Sequence, residues 1–289
     1  MFIGRYVLTE LQAKEFEILK KFVEICEKLG LKFFLVCGTA LGAVKYQGFI
    51  PWDDDIDVGM YREDYEIFCE KAPVLLPEYY FLQTYKTDYN FPYIFAKIRD
   101  SRTTYIEKSN SELNIHHGVY IDIFPLDGYP KDKNKAAVMT RKKKLLDLKK
   151  ACVFKVNENY SFKAKMLMKL ERILGYHKRT HSIVKRIEEL ISQWKVDQSA
   201  VICNHGNWQG ELEFASKEQY GEGAFATFEG LKVRVPEKFD EYLTQKYGDW
   251  RADLPKEEKI GHHFYEVCDL NKPYTEYIEI LSKDRIRLK

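Results

Sequence analysis

Residues 48–60 read GFIPWDDDIDVGM, and four of these thirteen positions, 53, 54, 55 and 57, are aspartate. Like charges packed this closely repel, so a folded chain that keeps them must give them water, a cation or both. An acidic run on a solvated loop is the ordinary explanation. The flanks point elsewhere. Asp55-Ile56-Asp57-Val58 alternates polar and apolar with the period of a half-buried strand, which sends Asp55 and Asp57 to one face. At about 3.3 Å per residue the two carboxylates would stand roughly 6 to 7 Å apart. Hard oxygen ligands so placed suit Mg²⁺ or Mn²⁺, whose other positions go to water and substrate phosphate. The stretch therefore predicts a strand that carries a metal site for phosphate chemistry.

Upstream, residues 9–29 read as a helix: Thr9 and Gln12 make a capping-box pair, Ile18, Leu19, Phe22, Cys26 and Leu29 follow helical spacing, and Gly30 ends it. KFFLVC (32–37) reads as a buried strand running into GTALGAVKYQG, where Gly38 permits a tight turn and Thr39 caps a short helix closed by Gly48. The N–H groups of such a helix start offer a phosphate a site, although an ordinary turn fits the same letters. Downstream come a helical stretch over 63–76 interrupted by Pro73 and a strand at 81–85. In YIFAKIRD (93–100), Tyr93, Phe95, Lys97 and Arg99 share one face. VYIDIF (119–124) sets Asp122 among apolar neighbours, where an unpaired carboxylate is costly. Asp122 reads either as a hydrogen-bonded structural acid or as a third metal carboxylate.

With 45% hydrophobic and 15% aromatic residues, the 289-residue chain has ample material for a packed core. Six scattered cysteines without a CxxC pair suggest reduced thiols in a cytosolic protein. No window approaches the roughly 18 apolar residues of a membrane span, and no signal-like start is present, so a cytoplasmic location is expected. The net charge of +2 hides a contrast: residues 131–186 hold eighteen Lys and Arg against four Asp and Glu, a local +14 that leaves −12 elsewhere. RKKKLLDLKK and KAKMLMKLERIL interleave these cations with Leu and Met as helices lying on anionic lipid do. The expected partner of 131–186 is thus an anionic membrane surface at the inner face of the cytoplasmic membrane, and helices that merely cover the core are the plain alternative. Nothing resembles a base-reading motif, and no nucleic acid is expected. GLKVRVP (230–236) reads as a strand and DEYLTQKYGDW as a helix ended at Gly248.

The order strand, Gly-Thr turn, helix, DxD strand and later Asp-bearing strand resembles the nucleotidyltransferase fold. CGTALGAVKYQGFIPWDDDIDVGM, AKIRDSRTTY, HHGVYIDIFPLDG and GLKVRVPEKFDEYLTQKYGDW look like the LicD family of phosphocholine transferases, to which the fukutin-related proteins are also similar. The resemblance covers the first 130 residues closely and the last 90 more loosely, and the basic segment shows least of it. It implies an α/β fold, a nucleotidyltransferase-like mixed sheet flanked by helices. The catalytic core would occupy 1–130, a basic helical insertion 131–195, and a segment packing on the core 196–289.

The resemblance further implies transfer of phosphocholine from CDP-choline to a sugar hydroxyl of a cell-surface glycopolymer precursor, a teichoic acid or lipopolysaccharide, whose acceptor is typically lipid-linked. Carried over by position, Asp55, Asp57 and Asp122 hold Mg²⁺ (or Mn²⁺), and Gly38 and Thr39 contact donor phosphates. Asp53 is a ligand, an orienting group or the general base, and Asp54, on the other face, is structural. The chain lacks the zinc-binding cysteine cluster of the fukutin-related proteins, so no zinc is expected. Phosphoryl-type transfer needs alignment and charge neutralisation, for which Lys97 and Arg99 are candidates unless they lie on a solvated sheet face. Trp52 is the candidate to receive choline's ammonium on its ring, and plain packing is its alternative role. The pairs His116-His117 and His262-His263 could meet substrate, but neighbours on a strand point apart, which disfavours a bidentate metal site. Four rival readings remain: a nucleotidyltransferase releasing pyrophosphate, a transferase of another phosphoalcohol such as ribitol or glycerol phosphate, a glycosyltransferase with a DxD metal site, and a non-enzymatic basic module.

Overall fold

Thr9 and Gln12 open the first helix, α1 (Glu10–Leu29), as their capping box predicts: Thr9 Oγ1 accepts the Gln12 N–H at 3.1 Å and Gln12 Oε1 accepts the Thr9 N–H at 3.0 Å. Gly30, in the left-handed conformation (φ 66°), closes it. Ile18, Leu19, Phe22 and Cys26 are wholly buried, and each large apolar side chain so placed contributes about 1.5–3 kcal/mol.

The computed structural model describes residues 8–154, 161–207, 210–261 and 264–277, so His262-His263 lie outside the described residues. After α1 come β1 (Phe34–Leu35), α2 (Cys37–Lys45), β2 (Asp57–Tyr61), α3 (Arg62–Lys71), β3 (Tyr80–Gln83), β4 (Ala96–Asp100), β5 (Thr104–Glu107) and β6 (Val119–Gly128). The basic segment supplies α4 (Lys133–Ala151), α5 (Phe162–Ile173) and α6 (Thr180–Ile191). Then follow β7 (Val201–Cys203), β8 (Phe214–Ser216), α7 (Lys217–Tyr220), β9 (Ala224–Phe228), β10 (Leu231–Val235), α8 (Phe239–Tyr247) and β11 (Tyr265–Asp269).

The result is an α/β fold built on a mixed sheet flanked by helices. Its main path runs β1-β2-β6-β4-β3, with β7 added to the far end of β6 and β8 to β7. Strands β2 and β6 are parallel and the other pairs antiparallel. All ten residues of β6 are buried, and α1 packs across β6 and β4. Phe228, Val233, Val235 and Leu243 from the C-terminal part share one core with Phe34 and Leu35 from the N-terminal part.

Two sequence expectations shift here. The 32–37 strand shrinks to Phe34–Leu35, because Cys37 takes φ 51° and already begins α2. The DxD strand begins only at Asp57, so Asp53, Asp54 and Asp55 occupy the irregular segment that follows the turn at Pro51-Trp52. In the basic segment α6 is anchored by Ile183, Val184, Ile187 and Ile191, which pack with Tyr85 and Ile94.

Candidate active site

Strand register brings the charged residues of three strands into one row. Asp57 on β2 stands opposite Asp122 on β6, and Asp122 stands opposite Lys97 on β4. At a strand spacing of about 4.8 Å, side chains in such a row are immediate neighbours on one face. Lys97 Nζ meets Asp122 Oδ1 at 2.8 Å, with both side chains almost wholly buried. The ammonium also lies 3.3 Å from the centroid of the Tyr120 ring, where the ring's negative face stabilises it. Burial raises the Asp122 pKa; Lys97 opposes the rise, and Glu107 and Asp55 add to it.

Arg99, two residues along the same strand face, is fully buried, so the solvated-face reading of Lys97 and Arg99 is wrong. Its Nε donates to Gln83 Oε1 at 2.6 Å and its Nη1 to the Gly118 carbonyl at 2.8 Å. Arg99 Nη2 and Tyr120 Oη have no hydrogen-bond partner among the described residues. Buried polar groups are rarely left so, and here two flank one ion pair.

The loop aspartates converge rather than alternate. One carboxylate oxygen each from Asp53, Asp54 and Asp55 lies within 4.8 Å of the others, all three residues being partly exposed. Asp54 was expected to point away; the irregular backbone before β2 turns it into the cluster instead. The expected metal trio is thus distributed over two groups, Asp55 in the loop and Asp57 with Asp122 on the strands. A set of partly hydrated carboxylate oxygens is the donor chemistry that Mg²⁺ and Mn²⁺ favour.

Gly38 and Thr39 do something other than make a turn and a cap. Helix α2 begins one residue before Gly38, with Val36 as its N-cap and no side-chain cap bond. Thr39 Oγ1 accepts the Asp57 N–H at 2.8 Å, which fixes the start of β2 against the helix. A Cβ on Gly38 would sit 2.9 Å from Asp53 Oδ2, so glycine is what lets that carboxylate reach the first turn of α2. Its negative charge suits the positive end of a helix. Gly42 answers a second close approach, since a Cβ there would lie 2.5 Å from the Gly48 carbonyl. Trp52 packs edge-on to Tyr46, with ring centroids 6.2 Å apart, and Lys259 Nζ lies 5.2 Å from the Trp52 ring. The ring therefore already faces a cation.

Sequence reasoning missed a second wall. Helix α8 carries Lys246, buried and paired with Glu213 at 2.7 Å, and Tyr242, whose Oη accepts the Cys37 N–H at 3.1 Å. Burial works to lower the Lys246 pKa, but the neighbouring Glu213 and Asp57 carboxylates outweigh it, so the ammonium keeps its charge beside the acidic row. Burial also lifts the Cys37 thiol well above its ordinary range, which rules it out as a thiolate nucleophile. The loop from Cys203 to Asn207 covers the next row of the same sheet face: a Cβ on Gly206 would touch Phe95 and Phe124 at 2.9 Å, and Asn207 Nδ2 lies 3.3 Å from Cys37 Sγ. Within it the buried Asn204 Nδ2 and His205 Nε2 have no hydrogen-bond partner among the described residues. The lone Lys in DEYLTQKYGDW and the Asn-His-Gly-Asn run were the available signals, but only the fold reveals which strands they cover. His116 and His117 are buried, His116 against Ser101 and His117 on the Leu113 carbonyl, away from the acidic row.

Comparison with known proteins agrees with this geometry. Residues 30–173 match the LicD/FKTN/FKRP nucleotidyltransferase domain. The match extends through α4 and α5, where the sequence by itself showed least family pattern. The lipopolysaccharide cholinephosphotransferase LicD of Haemophilus influenzae is 28% identical over 273 residues, 91% of this chain and 98% of that protein. The ribitol 5-phosphate transferase FKRP of Homo sapiens is 40% identical over 48 residues, 17% of this chain and 10% of that one. An uncharacterized protein of Rickettsia prowazekii is 31% identical over 115 residues, 40% of each chain. Since the similarity spans both the helix start at Gly38 and the carboxylates gathered around it, the chain belongs to the LicD family, to which the fukutin-related proteins are also related.

Proposed function

We propose that this protein transfers phosphocholine from CDP-choline to a sugar hydroxyl of a cell-surface glycopolymer precursor, a lipopolysaccharide or teichoic acid, with Mg²⁺ or Mn²⁺. The observation that carries the substrate class is the near end-to-end similarity to a lipopolysaccharide cholinephosphotransferase. The chemistry is supported by the Asp57–Asp122–Lys97 row and the adjoining loop carboxylates. Asp55, Asp57 and Asp122 would hold the cation, with Asp53 and Asp54 beside them, and a bound divalent cation would neutralise the donor diphosphate. Lys97 and Arg99 lend buried positive charge to the same face, and Lys246 lends more from α8. The acceptor oxygen forms a bond to the phosphorus that bears choline, the diphosphate bridge breaks and CMP departs. The hydroxyl proton passes to a carboxylate beside the cation, a role open to Asp53 in the loop cluster.

The partial match to a ribitol 5-phosphate transferase favours one second reading, in which another phosphoalcohol takes choline's place. Incubation with CDP-choline, CDP-ribitol, CDP-glycerol and ATP, followed by product analysis, decides between them. CMP release with labelled phosphocholine on the glycan is the expected result; pyrophosphate release from ATP would move the protein to the nucleotidyltransferases.

A further inference from the structure

Helix α5 is packed inside out. Its buried residues are Met168 and Glu171, and Arg172 fastens it inward by donating from Nε to the Cys152 carbonyl at 2.6 Å and from Nη2 to the Phe154 carbonyl at 3.0 Å. Phe162, Met166, Leu170 and Ile173 point the other way and are 76%, 58%, 51% and 74% exposed. At 100° per residue these four fall within about 80° of arc, a continuous apolar stripe. Leu167 and Leu174 widen it on one side, and both are exposed. An apolar face this complete normally packs on a core, and the inward bonds of Arg172 hold it outward. Lys169 flanks the four-residue stripe on one side and Lys163 falls between Leu170 and Leu174 on the other, both exposed; on α4, Arg141, Lys142 and Lys144 are exposed as well.

We propose that α5 is a membrane-docking helix that lies in the plane of an anionic phospholipid bilayer, with Phe162, Met166, Leu170 and Ile173 entering the acyl boundary and the surrounding lysines meeting the headgroups. The inference goes beyond the transferase reading and does not depend on it. Charge decides the occupant: the segment's local +14 attracts an anionic surface and repels a second copy of the same face. Among the described residues no helix is long and apolar enough to cross a membrane, so the contact is lateral. The stripe also moves the insertion site from α4, the more basic helix, to α5. On α4, Lys143 is tied to Asp147 at 2.8 Å and only Val138, Leu145 and Leu148 are exposed among its large apolar residues.

The test is co-sedimentation with phosphatidylglycerol and phosphatidylcholine vesicles. The full chain should pellet with the former, remain soluble with the latter and release as salt screens the attraction. The triple variant Phe162→Ser, Met166→Ser, Ile173→Ser should bind at least tenfold more weakly at an unchanged melting temperature, since all three side chains are exposed. Phe162→Trp should be quenched by brominated phosphatidylglycerol, beyond any quenching of the native tryptophans. Wild-type binding by the serine variant, or no quenching of the new tryptophan, would overturn insertion even if charge reversal at Arg141, Lys142 and Lys144 abolished pelleting. A wild-type dimer that the serine substitutions dissociate would overturn it too, by assigning the stripe to a second copy.

Discussion

Strand β6 carries two buried aspartates five residues apart, and they lead opposite lives. Asp127 is gripped by Arg62 through two bonds, Nε to Oδ1 at 2.7 Å and Nη2 to Oδ2 at 2.8 Å, and Arg62 Nη1 reaches Glu188 on α6 at 3.3 Å. Asp122 has a single 2.8 Å bridge to Lys97, with Asp57 in the next strand; nearby, Tyr120 Oη and Arg99 Nη2 have no hydrogen-bond partner among the described residues, the latter standing 3.9 Å from Glu107. Burial pushes the pKa of both carboxyls up. The difference lies in completion. A bidentate, fully answered pair locks α3, β6 and α6 together, whereas a pair with polar atoms left over has capacity for a substrate.

The largest contrast should appear in turnover. Asp57→Asn and Asp122→Asn are each expected to lower transfer by about a thousandfold while circular dichroism stays native, as removal of charge from a site that stabilises a transition state does. If either variant kept wild-type turnover, that residue would leave the site. Stability should rank the other way. Asp127→Asn strands the Arg62 guanidinium and should cost about 3–5 kcal/mol in chemical denaturation. Asp122→Asn should cost less than half as much, because Tyr120 still faces the Lys97 ammonium and Asp57 remains beside it. Equal losses at the two positions would erase the distinction.

Much of this was legible in the letters, and the failures have physical causes. The capping box, the faces of 93–100 and the isolated Asp122 were readable because periodicity and caps are local. Strand alternation misplaced Asp54 and Asp55, since β2 is defined by its pairing with β1 and β6, and its register with β6, which is distant in sequence, begins at Asp57. Thr39 looked like a cap because its role, accepting the Asp57 N–H, depends on a partner eighteen residues on. Lys246 and the 203–207 loop were invisible for the same reason: only tertiary packing brings Lys246 beside the acidic row and lays the loop over the adjoining Phe95–Phe124 row.

Buried histidines extend the comparison to pH. Burial first, then the Arg99 charge, pushes His116 down to about 3 and His117 down to about 4, and burial likewise pushes His205 to about 3. The unfolded chain binds these protons near pH 6.5 and the folded chain does not, so their contribution is complete above about pH 6.5 and is lost as pH falls toward 3 to 4. Urea midpoints measured across that window should fall with pH, and His116→Gln and His205→Gln should each flatten the slope; an unaltered slope would show that these rings take up protons in the folded state. The smallest effect concerns Trp52. Trp52→Ala should weaken CDP-choline relative to CDP by about 0.5–2 kcal/mol if choline displaces Lys259 from the ring. Equal weakening of both ligands would return Trp52 to packing against Tyr46.

The most direct test of the central claim is the rate at which labelled phosphocholine passes from CDP-choline to a glycan acceptor, followed with saturating Mg²⁺ and again after exhaustive EDTA treatment. The account predicts turnover with one CMP released per phosphocholine transferred, near-complete loss in EDTA, and recovery on adding back Mg²⁺ or Mn²⁺ that Asp57→Asn does not share. Undiminished transfer in EDTA, with the carboxylates intact, would contradict it.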